Sequence, residues 1–291
     1  MTIELAHVHS FSKPWGVVDA RPWMSASPSD GSRLGEIWYE RTTSTDAAPS
    51  LLLKLLFTDE PLSIQVHPDD AYAQSIGFPN GKTEAWYVLS AAPDAKVAVG
   101  LKRRLNAEQL RHAIDNGSIA DLVLWQGVRP GAAIFVPAGT IHAIGAGLVI
   151  AEIQQRSDTT FRLFDHGRGR ELHVEDSIAV ADAGPATAAV KSQRLSETRM
   201  VLGSNTHFVF ERIDLAPNSH WVLEAGQETW LLAIQGAARV GPFDLATGSA
   251  VFAKSDRVSL DAGETGLAAL VAYTGGLVPD LLRCVDMETA S

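Results

Sequence analysis

The stretch RPGAAIFVPAGTIHAI, Arg129 to Ile144, reads as two short strands joined by a proline turn, with the second strand opening on an inward-pointing histidine, His142. Its spacing is Gly131-x5-Pro137-x-Gly139-x2-His142. Proline cannot donate to a sheet ladder, so VPAG marks the end of a strand rather than its middle. An earlier stretch, PLSIQVHPDD from Pro61 to Asp70, sets Gln65 and His67 two residues apart in an apolar run just before a Pro-Asp-Asp turn. Strand alternation points both side chains to one face.

The 291 residues around these stretches are 46% hydrophobic and 20% charged, which is enough apolar material for one large or two ordinary cored domains. No apolar run approaches the roughly 18 residues of a membrane span. The start, MTIELAHVHSFSKPWG, lacks a basic region followed by an apolar one, so the expectation is a cytoplasmic protein with no membrane partner. The single cysteine, Cys284, cannot form an internal disulfide, which fits a reducing compartment; its plain reading is a small buried hydrophobe. With a net charge of -10 and no lysine/arginine cluster, a nucleic-acid partner is not expected. An anionic small molecule is compatible, because diffuse charge is screened beyond about 8 Å and local cations decide binding.

Glycines and prolines separate short runs rich in Val, Ile, Leu and Trp: LLLKLLF, AWYVLSA, AKVAVGL, AAIFVPA, GLVIAEIQ, HFVFERIDL, TWLLAIQG and GLAALVAY. Many short strands with frequent turns predict an all-β sandwich or barrel. The exception is a helical insertion over about 106–126, where Asn106 and Gln109 form a capping pair and Leu110, Ala113 and Ile114 an apolar stripe. From Ala179 to Ser196 large apolar residues become scarce, which reads as an arm between two units, 1–182 and 183–291. Glu84 to Gly100 lines up with Glu228 to Gly241, as a duplication would produce.

The Gly-Pro-Gly-His spacing resembles the second signature of the cupin β-barrels. The partner signature of that superfamily supplies two ligands two apart on one strand and a glutamate on the next, and this resemblance implies that Gln65, His67, Glu84 and His142 are metal ligands. Two neutral imidazoles, a carboxylate and a carboxamide oxygen suit zinc, with other divalent transition metals able to substitute. Three further patterns carry less. His7 and His9 share a strand face without a third ligand nearby, Gly145 to Leu148 leads into no helix that would cradle a phosphate, and no nucleophile elbow surrounds Ser157 or Asp158.

Over roughly Leu51 to Asp182, the stretches PLSIQVHPDD, GKTEAWYVL and VPAGTIHAIGAGLVIAEIQQRSDTTFRLFDHGR resemble the type I mannose-6-phosphate isomerases in their short bacterial form. The resemblance implies two cupin-like jelly-roll barrels, the second degenerate and metal-free, and one zinc ion per chain. It also implies interconversion of mannose 6-phosphate and fructose 6-phosphate through a cis-enediol, with a hexose 6-phosphate as the small-molecule partner of a monomer or small homo-oligomer. On the same ground Glu152 is the carboxylate base, Arg162 the clamp for the enediolate oxygens, and Lys54 and Ser63 phosphate-side residues. Lys82, two residues before Glu84 and on the same face of a regular strand, is expected either to bind a sugar oxygen or, with its pKa lowered beside the metal, to pass protons. A metal-bearing cupin that senses a sugar phosphate without turnover is the alternative; a base beside the metal is what separates the two.

Overall fold

The computed structural model describes residues 2–24, 31–42, 48–186 and 191–285. Positions 187–190 of the expected arm and 286–291 of the second unit lie outside the described residues. All eight apolar runs form strands, and the fold is mainly β and cupin-like.

In the first unit a six-stranded sheet runs in the order 7–17, 34–40, 51–58, 148–155, 84–91, 133–136, and a five-stranded sheet in the order 161–164, 64–66, 142–144, 96–101, 123–127. The two sheets enclose one core, in which Leu56, Trp86, Val88 and Ile150 of the first meet Val97, Val99 and Ile144 of the second. The turn after Val136 has Gly139 at φ +83°, a left-handed conformation that side-chain-bearing residues rarely adopt, and its N–H donates to the carbonyl of His67 at 2.8 Å. The proline-turn motif thereby ties the strand that opens with His142 to the end of the strand that carries Gln65.

Strand Leu51–Thr58 explains the run LLLKLLF. It is central in its sheet and buried on both faces, so its apolar residues run continuously rather than alternating with polar ones. Leu52, Lys54 and Leu56 alternate with Leu51, Leu53, Leu55 and Phe57, and the latter pack against Phe208, Trp230 and Phe252 of the second half. Leu56, from the first set, packs in the core between the two sheets of the first unit. The lysine is therefore an interior residue of a central strand.

Helix Ala107–Asp115 carries the expected reciprocal cap between Asn106 and Gln109, and its Leu110, Ala113 and Ile114 are buried against the five-stranded sheet. The helical part of the insertion ends with Ile119–Leu122; Val123–Gly127 is a strand. Two short helices add to the sequence reading. The Pro-Asp-Asp turn is the start of helix Asp70–Ser75, capped by Asp69, whose carboxylate accepts from the N–H of Tyr72 at 2.8 Å. Helix Val174–Val180 covers the five-stranded sheet.

The second half is a ten-stranded sheet built around two long strands, Thr229–Val240 and Asp256–Thr274, bent by register shifts so that Val240, Leu260, Leu223 and Val271 share one core. Strand Thr2–Leu5 pairs with Ala250–Lys254 of this sheet, so the N-terminus crosses to the far unit. Cys284 is exposed rather than buried, because it ends a short edge strand.

Candidate metal centre and cleft

His67, Glu84 and His142 converge in the interior of the first unit, each 1% exposed or less, with one ligand atom from each lying within 4.8 Å of the others. The ring Nδ1 atoms face carbonyls, His67 that of Thr159 at 2.9 Å and His142 that of Thr140 at 2.8 Å. Each Nδ1 therefore carries the hydrogen, and each Nε2 presents a lone pair to Glu84, at 3.4 Å and 3.3 Å. Burial pushes the His67 imidazolium down to about 3, with the Lys82 ammonium adding to it, and burial lowers His142 as well. Burial acts against the Glu84 carboxylate, but the Lys82 ammonium holds it well below its usual range.

The cluster thus consists of two neutral nitrogens and an ionised carboxylate. His67 Nε2 and both Glu84 oxygens are buried without a hydrogen-bond partner. Unpartnered buried groups of this kind carry a desolvation cost of about 1–3 kcal/mol each, more for a charge, and a divalent ion held by this nitrogen/oxygen donor set would remove it. The residues therefore fit a bound metal.

Gln65 lies opposite both His142 and Arg162 in the five-stranded sheet, so three strands carry Arg162, Gln65 and His142 in one row. Its Nε2 is 3.3 Å from His142 Nε2, and its Oε1 accepts from the Ser63 hydroxyl at 3.1 Å. Ligation through the oxygen requires the carboxamide to turn over, with Ser63 changing from donor to acceptor, which a hydroxyl allows.

The facing sheet supplies a second row. Trp38, Lys54, Glu152 and Trp86 are cross-strand partners in sequence across four strands. The Trp86 indole donates to Glu152 Oε1 at 3.0 Å, the Lys54 ammonium is 3.7 Å from Oε2, and the same ammonium lies 4.3 Å from the centre of the Trp38 ring. Burial, followed by the Glu84 charge, pushes the Glu152 carboxyl up to about 7 against the opposing effect of Lys82 and Lys54. Lys82 is buried 3.2 Å from Glu84 Oε2. Burial alone would lower it, but Glu84, Glu152 and Asp158 outweigh that and hold it above its ordinary value, contrary to the lowering expected from sequence.

A cleft of about 220 Å³ opens beside these rows. Gln65, Lys82, Glu152, Ser63 and Arg162 line it, and Gln65 and Lys82 stand between it and the metal cluster. Lys54 is not among the lining residues; it sits behind Glu152. The Arg162 guanidinium has no hydrogen-bond or ion-pair partner among the described residues. Lys13, Glu36, Arg170 and His173, which no sequence motif marked, also face the cleft, as does Asp158, which lacked a nucleophile elbow. Lys13 pairs with Glu36 at 3.1 Å and Arg170 with Asp165. The signal for Glu36 was present in the alternation of GEIWYE, where Glu36 and Trp38 share a face; nothing local marks His173. Glu228, the counterpart of Glu84 in the repeat, accepts the backbone N–H groups of Ser50 at 2.7 Å and Leu51 at 2.8 Å and so anchors the start of the Lys54 strand. His7 and His9 lie on an exposed strand, ring to ring at 4.5 Å.

Fold and site together define a mainly β protein with a cupin-like fold and a buried His-Glu-His cluster able to hold a metal ion. No protein-family model matches the chain. Among characterised proteins it is similar to the mannose-6-phosphate isomerase of Streptococcus mutans, at 41% identity over 194 residues. That match covers 62% of this chain and 61% of the relative's length. In fold it is similar to the crystal structure of the mannose 6-phosphate isomerase from Bacillus subtilis, with a TM-score of 0.82 at 22% identity over 94% of this chain and 99% of that one. A zinc-bound mannose 6-phosphate isomerase superposes with a TM-score of 0.73 at 16% identity, over 95% of this chain and all of that one.

Proposed function

We propose that the protein is a metal-dependent aldose–ketose isomerase that interconverts mannose 6-phosphate and fructose 6-phosphate. The observation that carries this reading is the pairing of a buried His67-Glu84-His142 cluster, in which His67 Nε2 and both Glu84 oxygens lack a hydrogen bond, with an adjacent cleft that holds a free arginine and a carboxyl group raised to about 7. The sequence likeness to a mannose-6-phosphate isomerase and the fold likeness to a zinc-bound one support the substrate and the metal. A sensor without turnover is not favoured, since binding alone gives no reason to bury a carboxyl group of near-neutral pKa beside the cluster.

Gln65, His67, Glu84 and His142 hold the ion, which is zinc in this reading. When bound, zinc supplies a Lewis acid that favours negative charge on substrate oxygens. Glu152 removes the C2 proton of the aldose while O1 takes up a proton, which gives the cis-enediol; O2 then gives up its hydroxyl proton as Glu152 returns the carbon proton to C1, and the ketose follows the same path in reverse. Arg162 is the fixed cation for the oxygens on C1 and C2. Lys82 neutralises Glu84 and donates to a sugar oxygen, and Ser63 positions Gln65 at the cleft wall. Lys54, which the family resemblance would set on the phosphate, acts on the reaction through Glu152. Residues 1–182 form the catalytic unit and 183–291 a metal-free companion, in a cytoplasmic monomer or small homo-oligomer without nucleic-acid or membrane partners. No helix among the described residues is long and apolar enough to cross a membrane.

A coupled assay for fructose 6-phosphate formed from mannose 6-phosphate, before and after chelation and again after zinc is restored, tests the reading. Activity that disappears and returns is expected. Folded, zinc-loaded protein with no turnover would overturn it in favour of a sensor or another substrate.

A further inference from the structure

His173 stands at the cleft just before helix Val174–Val180 and is joined to Arg162 by two backbone-level hydrogen bonds. The His173 N–H donates to the Arg162 carbonyl at 2.9 Å, and the Arg162 N–H donates to His173 Nδ1 at 3.1 Å. The second bond determines the tautomer: a ring nitrogen that accepts from an amide carries no hydrogen, so in the neutral imidazole the hydrogen is on Nε2. The ring packs at 5.9 Å from Phe161, which is on the same strand as Arg162, and that contact limits its rotation. Nε2–H has no partner among the described residues, and neither does the guanidinium of Arg162. Two donors are therefore fixed to one short strand, one charged and one neutral, and both border the same cleft.

We propose that His173 is a substrate-contacting residue of this isomerase, whose Nε2–H donates to the sugar oxygens that Arg162 also faces. This rests on the isomerase reading given above. The bond to the Arg162 amide gives His173 a defined role: the ring is a neutral donor aimed by the backbone of the arginine it assists. A preorganised donor directed at an oxygen that gains charge during enolisation strengthens its hydrogen bond as that charge develops, which raises kcat rather than affinity. The other cleft-lining cations, Lys13, Lys82 and Arg170, are already paired with Glu36, Glu84 and Asp165, which leaves Arg162 and His173 with unused donors on this wall.

Two substitutions separate the ends of the ring. In His173→Asn the amide oxygen reproduces Nδ1 and can still accept from the Arg162 N–H, while nothing replaces Nε2. In His173→Gln the longer side chain brings an amide N–H toward the Nε2 position. For His173→Asn, kcat is expected to fall about 100-fold, with KM changed less than about threefold and zinc content and melting temperature near wild type. His173→Gln should recover at least about tenfold of that loss. Wild-type kcat in His173→Asn, or a loss confined to KM, would overturn the proposal while leaving the isomerase reading intact. Imidazole 15N shifts of wild-type protein give an answer independent of turnover. Nε2 protonation supports the assignment and Nδ1 protonation sinks it, even if mannose 6-phosphate proves not to be the substrate and the broader reading fails.

Discussion

Burial, followed by the Glu84 charge, raises the proton affinity of Glu152 against the ammonium near one oxygen, while the Trp86 indole N–H donates to the other. The indole bond favours the ionised form, so Trp86→Phe should raise the Glu152 pKa. A base must be deprotonated to act, so activity is lost as pH falls through that pKa, and the acid limb of the kcat profile should move to higher pH in the variant. In the zinc-loaded wild type the limb should lie below about 7, because a nearby dication favours the carboxylate. An unmoved limb in Trp86→Phe would remove Glu152 as the base. Arg162→Ala should retain zinc and fold while kcat falls about 100-fold or more, as loss of one preorganised charge-stabilising donor does. Near wild-type turnover would take the guanidinium out of the reaction. Ser63→Ala removes the group that orients the Gln65 carboxamide, and zinc affinity should drop about tenfold in a competition titration with a chromogenic chelator. Unchanged affinity would mean that Gln65 needs no such support or does not ligate.

At the scale of the element, strand Leu51–Thr58 carries two tasks on its two faces. One presents Lys54 to Glu152; the other packs Leu53, Leu55 and Phe57 against the second half. Because Leu53 is 2% exposed, Leu53→Ala should cost about 2–5 kcal/mol in denaturant unfolding, with a smaller effect on zinc content than on stability. A loss below about 1 kcal/mol would show that the interface relaxes around the cavity. The same strand shows why the sequence was legible here. A run of this length rich in leucine predicts a strand, whereas the Glu152 carboxylate that meets its lysine lies on a strand distant in sequence. By contrast, the helix after His173 lacks a side-chain cap, so its start left no local signal.

The whole molecule is held together by the core between its halves, where Trp230, Phe252 and Phe208 meet the outer face of the six-stranded sheet. Glu228 reaches across to anchor the Lys54 strand, and strand Thr2–Leu5 pairs with the far sheet. Residues 1–182 expressed alone should therefore expose a contiguous apolar face and self-associate in sedimentation. A monodisperse monomer with a cooperative melt would show that the first unit stands by itself.

The sequence by itself determined the strands and the capped helix, because each depends on short-range rules: alternation, a proline turn, a cap three residues away; the grouping of His67, Glu84 and His142 was legible only through the resemblance of their spacing to the cupin signatures. Only the tertiary structure decided that Lys54 lies behind Glu152 rather than on the cleft wall. It also decided that Lys82 is held charged by three carboxylates, and that His173 completes the wall beside Arg162. Those facts depend on which strands become neighbours across the two sheets. That register is fixed by burial of both faces of the sheet at once, which no single stretch of chain contains.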